Sequence, residues 1–206
     1  MLADWSAECG PDDPVLVVPW SDPDNPSIHF VDLRENPYDL DRLPETEKYP
    51  PLLHALRSLN APRSPVFTAK CDAWHVSVKN PDDTYAQNEL AYLHLNLRHP
   101  EEETPVALAS YIDLLSRDRT IFVSRHRHEQ FLDRITHRAA ALEHPYAMLE
   151  LVLRPALTDL TTTQEGYSIS LYIKALGHDS QSAWDNWANA LADVTALLRS
   201  KAFALP

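Results

Sequence analysis

The sequence predicts an α+β fold, with an antiparallel or mixed sheet built from several hairpins and three to four helices packed mainly on one face. Segments in which apolar and polar residues alternate, typical of strands, are separated by segments with apolar residues three or four apart, typical of helices. A proline-rich beginning stands apart from both patterns. We therefore interpret the 206 residues as a single domain, with an acidic arm over 1–50 and an α+β body over 51–206.

The first 50 residues predict a mostly extended arm, because closely spaced prolines interrupt long helices and strands. Two short strands are expected within it, over 15–18 and 28–33, joined by a turn-rich segment. Pro51 suits the first position of a helix, and leucines follow it at helical spacing. The arm is therefore expected to lead into a helix over 51–59.

The next segment predicts a hairpin followed by two helices. Alternating residues over 65–78 and 86–98 flank a turn sequence and predict the two strands of the hairpin. Thr104 before Pro105 is a favourable helix start, so a helix is expected over 104–117, followed by a short strand over 120–123. Apolar residues from Phe131 to Leu142 then predict a helix that Pro145 ends.

The remaining residues predict a second hairpin and a long final helix. The segments 146–154 and 167–176 both alternate, and a polar connection joins them. Ser182 and Asp185 fit a capping box, and apolar residues from Trp184 to Leu198 recur on one helical face. The final helix is therefore expected from 182 to 201.

Composition excludes several classes of function. A net charge of −12 without a basic block repels phosphate backbones and anionic lipids, so neither nucleic acid nor membrane is expected as a partner. Only 3 glycines are present, too few for a phosphate-binding loop, and 2 distant cysteines do not make a disulfide framework. No cofactor is expected, and the absence of a basic segment followed by an apolar one at the N-terminus favours a cytoplasmic protein.

Strand parity predicts one candidate site, because side chains two residues apart on a strand lie on the same face of a sheet. In both hairpins one parity is apolar and suits the core, while the other carries charged and aromatic residues. If both hairpins belong to one sheet, a single face carries the candidate ligand-binding residues, which are Lys70, Asp72, Trp74, Tyr92, His94, Asn96, Arg98, Glu150, Arg154, Tyr172 and Lys174.

Other motifs predict no metal site and no catalytic residue. His126 and His128 would point away from each other at the start of a helix, and the arginines beside them would repel a dication. Cys71 lies on the opposite face from Lys70, without a nearby base on its own face, and is interpreted as a small buried hydrophobic residue.

Two functions remain open for the polar face. A flat, solvated face favours the leading hypothesis, a non-catalytic module that binds a protein partner or a second copy of itself. A concave face walled by Trp74 and Tyr92, containing an acid or histidine with a displaced pKa, favours a small-molecule-binding domain or an enzyme. In that alternative Lys70 and Arg98 or Arg154 hold an anion, and Asp72, His94 or Glu150 transfers a proton.

Overall fold

The computed structural model describes residues 1–77, 83–97 and 106–200, which form one mixed sheet with helices on both faces. The strands are β1 (Leu2–Ala7), β2 (Leu16–Val18), β3 (Val66–Val76), β4 (Val106–Ser116), β5 (Ala147–Thr158) and β6 (Gln164–Gly177). The α-helices are α1 (Pro44–Lys48), α2 (Pro50–Asn60), α3 (Thr84–Leu97), α4 (Arg119–Phe122), α5 (Arg125–Ala139) and α6 (Ser180–Arg199), and a 3-10 helix spans Pro37–Arg42. Mixed helix and strand content around a mixed sheet is thereby confirmed.

The strand order is β1-β5-β6-β4-β3, and β2 also pairs with β5. β5 and β6 form the hairpin predicted over 146–154 and 167–176. β4 lies antiparallel between β6 and β3, whereas β1 and β2 run parallel to β5. Among the described residues, β3 therefore forms one edge of this sheet, and β1 and β2 together form the other.

One face of the sheet carries the main core. Leucines and isoleucines of β4, β5 and β6 pack there against α2, α5 and α6. These three helices correspond to the helices predicted over 51–59, 131–142 and 182–201. Trp187 of α6 is fully buried, and its indole N–H donates to Ser110 Oγ at 2.8 Å. The start of α6 differs from the prediction, because Asp179 is the N-cap and Ser182 is the third helical residue of the capping box.

The second strand predicted for the first hairpin, over 86–98, is wrong, because this segment forms α3. Ala86, Leu90, Leu93 and Leu97 are buried at helical spacing and pack against the other face of the sheet. Leu95, whose alternation with Leu93 and Leu97 favoured a strand, is 79% exposed. An alternating leucine pattern thus coincides with an amphipathic helix.

The helix predicted over 104–117 is also wrong, because Val106–Ser116 is the strand β4. β4 lies between β3 and β6 and is buried on both faces, so its sequence is almost continuously apolar and lacks alternation. The strand predicted over 120–123 is instead the short helix α4, in which Asp118 accepts the N–H of Thr120 as the N-cap.

The two strands predicted within the first 50 residues are only partly confirmed. β2 confirms most of the strand over 15–18, whereas the strand over 28–33 is wrong and is reduced to a single bridge between Ser21 and His29. Pro23 and Pro26 stand beside this bridge, and prolines cannot extend a ladder. β1, which pairs with β5, is not predicted from the sequence.

Candidate functional site

The strand register brings most of the candidate residues together on one side of the sheet, which we call the polar face. Asp72, Tyr111, Tyr172 and Glu150 are consecutive partners across four strands. Residues at the same parity along these strands share their face. The candidates on it are Lys70, Asp72 and Trp74 of β3, Glu150 and Arg154 of β5, and Tyr172 and Lys174 of β6.

The remaining candidates do not lie on a strand. Tyr92, His94 and Asn96 belong to α3, which packs on the polar face, and Arg98 lies outside the described residues. The Tyr92 hydroxyl donates to Glu150 Oε1 at 3.2 Å, so the helix delivers this residue to the site. Asn96 is exposed and donates to the Tyr92 carbonyl, while His94 is half-buried.

Two clefts adjoin the polar face, one at each edge of the sheet. A cleft of about 780 Å³, the β3 cleft, lies between β3 and the segment 20–45. Its lining includes Trp20, Asp22, Asp24, His29, Leu33, Arg42, Glu45, Leu56, Lys70, Asp72 and Tyr111. A smaller cleft of about 360 Å³, the β1 cleft, is lined by residues that include Asp4, Trp5, Glu8, Glu150, Arg154, Tyr172 and Lys174.

Aromatic side chains separate the two clefts. The rings of Tyr111 and Tyr172 lie 5.9 Å apart, and Trp74 lies 6.3 Å from Tyr111 on the side of α3. Burial, together with the charges of Asp113 and Asp72, raises the pKa of Tyr111, so its hydroxyl stays neutral. Tyr111 therefore gives the β3 cleft an aromatic wall with a hydrogen-bonding hydroxyl.

Two cations of the β1 cleft are neutralised by carboxylates. Lys174 Nζ lies 2.8 Å from Glu89 and 2.6 Å from Glu150. Burial opposes the charge of Lys174, but its hydrogen bonds to the two glutamates outweigh burial and raise its pKa. Arg154 donates to Glu8 Oε2 at 2.7 Å and also to Ser170 and Tyr172. Neither cation is therefore free to hold an anion without breaking these pairs.

Lys70 differs from these two cations. It is exposed, and its Nζ lies 5.2 Å from the centre of the Trp20 ring. The Trp20 indole N–H donates to the Ala69 carbonyl at 2.8 Å, which fixes the ring beside β3. No carboxylate within the part of the chain that the structure describes forms an ion pair with Lys70.

Asp113 is a buried acid of the polar face that is not predicted from the sequence. It is 7% exposed and is the register partner of Lys70 on β3 and Ser170 on β6. Ser170 Oγ donates to Asp113 Oδ1 at 2.5 Å. Burial raises the pKa of Asp113, although the Ser170 hydrogen bond and the charges of Arg154 and Lys70 oppose it. The parity of Asp113 with Tyr111 could have identified it only if β4 had been recognised as a strand.

Side chains cap outward N–H groups of both sheet edges. On β3, the Ala73 N–H donates to Asp72 Oδ1 at 2.7 Å and the Thr68 N–H to Asn60 Oδ1 at 3.1 Å. On β1, the Trp5 N–H donates to Asp4 Oδ1 at 2.8 Å. Because free edge groups are what a further strand would pair with, these caps disfavour docking by strand addition.

The remaining motifs lie away from the clefts or are inert. His128 is 3% exposed in α5, and its Nδ1 lies 2.9 Å from the Ser124 carbonyl oxygen. Burial raises the pKa of the Cys71 thiol to about 12, which keeps it protonated. In residues 1–77, 83–97 and 106–200, no three histidine, cysteine or acidic side chains are arranged to hold a metal ion.

The sequence matches no protein-family model, and neither a curated protein nor a solved structure shows significant similarity to it. Of the helices in the described ranges, none is both long and apolar enough to cross a membrane. Function is therefore inferred from the geometry of the polar face.

Proposed function

We propose that the protein is a small-molecule-binding domain and that the β3 cleft is its binding site. The observation that carries this proposal is a cleft of about 780 Å³ beside the edge strand β3, where the polar face ends. Ligand pockets typically occupy about 300–1,000 Å³ and combine apolar walls with a few polar groups. Val31 and Leu43 supply half-buried apolar lining, and Lys70 and Asp72 supply polar groups.

The buried acid behind the cleft supports the same proposal. Asp113 neighbours Tyr111 on β4 and is paired in register with Lys70, so the cleft wall adjoins a carboxyl whose pKa burial raises. Perturbed acids are concentrated at functional sites. Trp20 and Tyr111 are the aromatic walls, in place of the Trp74 and Tyr92 that the sequence predicts.

Binding is favoured over catalysis because the cleft lacks an activated nucleophile among its described lining residues. The raised pKa of Cys71 disfavours its thiolate. Ser170, whose hydroxyl donates to Asp113 and accepts from Arg154, is 1% exposed and does not line the cleft.

The test is a thermal-shift screen of the intact protein against organic cations, organic anions and neutral metabolites. A ligand at about a hundred times its Kd stabilises a protein by about 2.7 kcal/mol, which raises Tm by roughly 5–10 °C at this chain length. Hits are then repeated with Trp20→Ala and, as the matched control, Trp5→Ala. Each indole N–H has one acceptor, Ala69 O for Trp20 and Asp133 Oδ1 for Trp5.

The proposal predicts that Trp20→Ala abolishes the shift and that Trp5→Ala retains it. Asp72→Asn provides a second variant at an exposed cleft position in case Trp20→Ala does not fold. A shift lost only in Trp5→Ala would move the site to the β1 cleft and contradict the proposal. The absence of a shift across the screen would contradict it as well.

A specific observation favours protein binding as the second candidate function. Tyr85, Tyr92 and Leu95 of α3 are 61%, 43% and 79% exposed, although all three are large and apolar or aromatic. Exposed apolar patches of this kind mark interaction surfaces. A protein partner or a second copy of the chain, in the cytoplasm, would then cover α3. Light scattering tests self-association, and Leu95→Asp should abolish a dimer that forms through this helix.

A further inference from the structure

We infer that the ligand of the β3 cleft is an organic cation, with one or more ammonium groups on an apolar body. This inference rests on the proposed function and differs from the anion that the sequence predicts. It follows from the charges that line the cleft, from the partners that these charges already have, and from the aromatic and apolar walls around them.

Carboxylates outnumber cations in the described lining of the cleft. The lining contains four acids and two cations, which are Asp22, Asp24, Glu45 and Asp72 on one hand and Arg42 and Lys70 on the other. Arg42 is already engaged, because it lies 3.4 Å from Asp39 Oδ2 and donates to His29 Nε2 at 3.2 Å. An anionic ligand would therefore enter a region of like charge with Lys70 as its available cation.

His29 already has partners within the chain at both ring nitrogens. Its Nδ1 lies 3.0 Å from the Ser27 carbonyl oxygen, and its Nε2 lies 3.2 Å from the Arg42 guanidinium. Neither ring nitrogen is therefore left without a hydrogen-bond partner.

Three of the carboxylates have room for a cationic partner. Among the described residues, Asp24, Glu45 and Asp72 make no ion pair with a cation of the chain. One oxygen of Asp72 caps the Ala73 N–H, which leaves the other for a ligand. Hydrogen bonds between ammonium groups and carboxylates are about twice as strong as neutral ones, and a bound cation also relieves repulsion between the acids.

The walls of the cleft suit the rest of such a ligand. The Trp20 ring already lies against an ammonium group, that of Lys70, in the geometry of a cation–π contact. Ile28 is exposed and Val31 and Leu43 are half-buried in the lining of the same cleft, so an alkyl chain can pack against them. The cleft thus combines acid groups, an aromatic ring and an apolar lining.

The experiment is isothermal titration of the intact protein with three five-carbon probes that differ only in their end groups. Cadaverine is the cation, 1,5-pentanediol is neutral, and glutarate is the anion. We expect cadaverine to bind and the other two to bind at least about tenfold more weakly, as the loss of one charge-assisted hydrogen bond requires. Asp72→Asn and Glu45→Gln should each weaken cadaverine binding by about tenfold, whereas Glu143→Gln, at an exposed position elsewhere, should not.

The outcomes separate this inference from the proposed function. Equal or tighter binding of glutarate, or cadaverine binding that is unchanged in both cleft variants, would overturn the cation assignment. The cation assignment would also be overturned if none of the three probes binds and the thermal-shift screen finds an anionic or neutral ligand whose shift is lost in Trp20→Ala. A screen without any hit that requires Trp20 would overturn the proposed function and this inference together.

Discussion

Replacing Asp113 with asparagine should stabilise the protein increasingly as pH rises. The substitution keeps the shape of the side chain, and the Ser170 hydroxyl that donates to Asp113 Oδ1 can donate equally to an amide oxygen. It removes the ionisation of a carboxyl that is 7% exposed. The variant therefore isolates the cost of charging this buried position.

The sign of the effect follows from the direction of the pKa shift. Burial raises the pKa of native Asp113, whereas an unfolded chain has an aspartate pKa of about 3.9. The stability that protonated Asp113 contributes is complete below the unfolded pKa and is lost as pH rises through the native pKa. Between the two values the loss approaches about 1.4 kcal/mol per pH unit, and each kcal/mol corresponds to about 2–4 °C in Tm at this length.

The assay is thermal unfolding of the wild type and of Asp113→Asn between pH 4 and pH 8 in steps of half a unit. Asp41→Asn, at an exposed position, is the control for removing a carboxylate from the surface. The difference in Tm between Asp113→Asn and the wild type should grow with pH in favour of the variant. A variant that loses the same stability at every pH, or whose advantage shrinks as pH rises, would refute the reasoning and show that Asp113 is held as a carboxylate.

Three further predictions concern packing, burial and the sheet edges. Asn60→Ala removes two hydrogen bonds between the end of α2 and Thr68 of β3 and one within α2, to the Leu56 carbonyl. It should cost about 2–3 kcal/mol in urea unfolding, against under about 0.5 kcal/mol for exposed Asn96→Ala, and equal losses would contradict the role of Asn60. Burial lowers the pKa of His128, so the wild type should lose stability as pH falls through about 6.5. His128→Gln should lose less stability than the wild type between pH 7 and pH 5.5 in the same unfolding assay. Parallel stability curves for the two proteins would contradict this role of His128. The double variant Asp4→Ala, Asp72→Ala exposes the Trp5 and Ala73 N–H groups at the two sheet edges. Light scattering should then detect self-association, which the control Asp41→Ala should not cause. An unchanged molar mass would show that these caps do not protect the edges.

The helices α5 and α6 are predictable because each has one buried and one exposed side. The β5–β6 hairpin is predictable from the alternation in its sequence, although both faces of its strands are largely buried or half-buried in the fold. β4 has no such alternation in its sequence, and both of its faces are buried. In α3, the alternation of Leu93, Leu95 and Leu97 was mistaken for a strand, although the exposure of Leu95 breaks the alternation in the folded protein.

The candidate site is predicted only where its residues lie on recognised strands. Strand parity placed Lys70, Asp72 and Lys174 on one face because β3 and β6 were recognised as strands. Asp113 and Tyr111 were missed together with β4, whose position in the sheet depends on long-range pairing. Trp20 and Glu45 reach the cleft from a segment without a periodic pattern, so their place depends on tertiary contacts that sequence spacing does not encode.

The most direct test of the β3 cleft as a ligand site is a two-dimensional NMR titration that follows the indole N–H signals of the 5 tryptophans during addition of cadaverine. Trp20 lines the β3 cleft, Trp5 lines the β1 cleft, and Trp187 is buried in the core on the opposite face. A saturable shift of the Trp20 signal is expected, while the signals of Trp5 and Trp187 stay in place. A shift confined to Trp5, or five unchanged signals at millimolar cadaverine, would contradict the assignment of the β3 cleft as the ligand site.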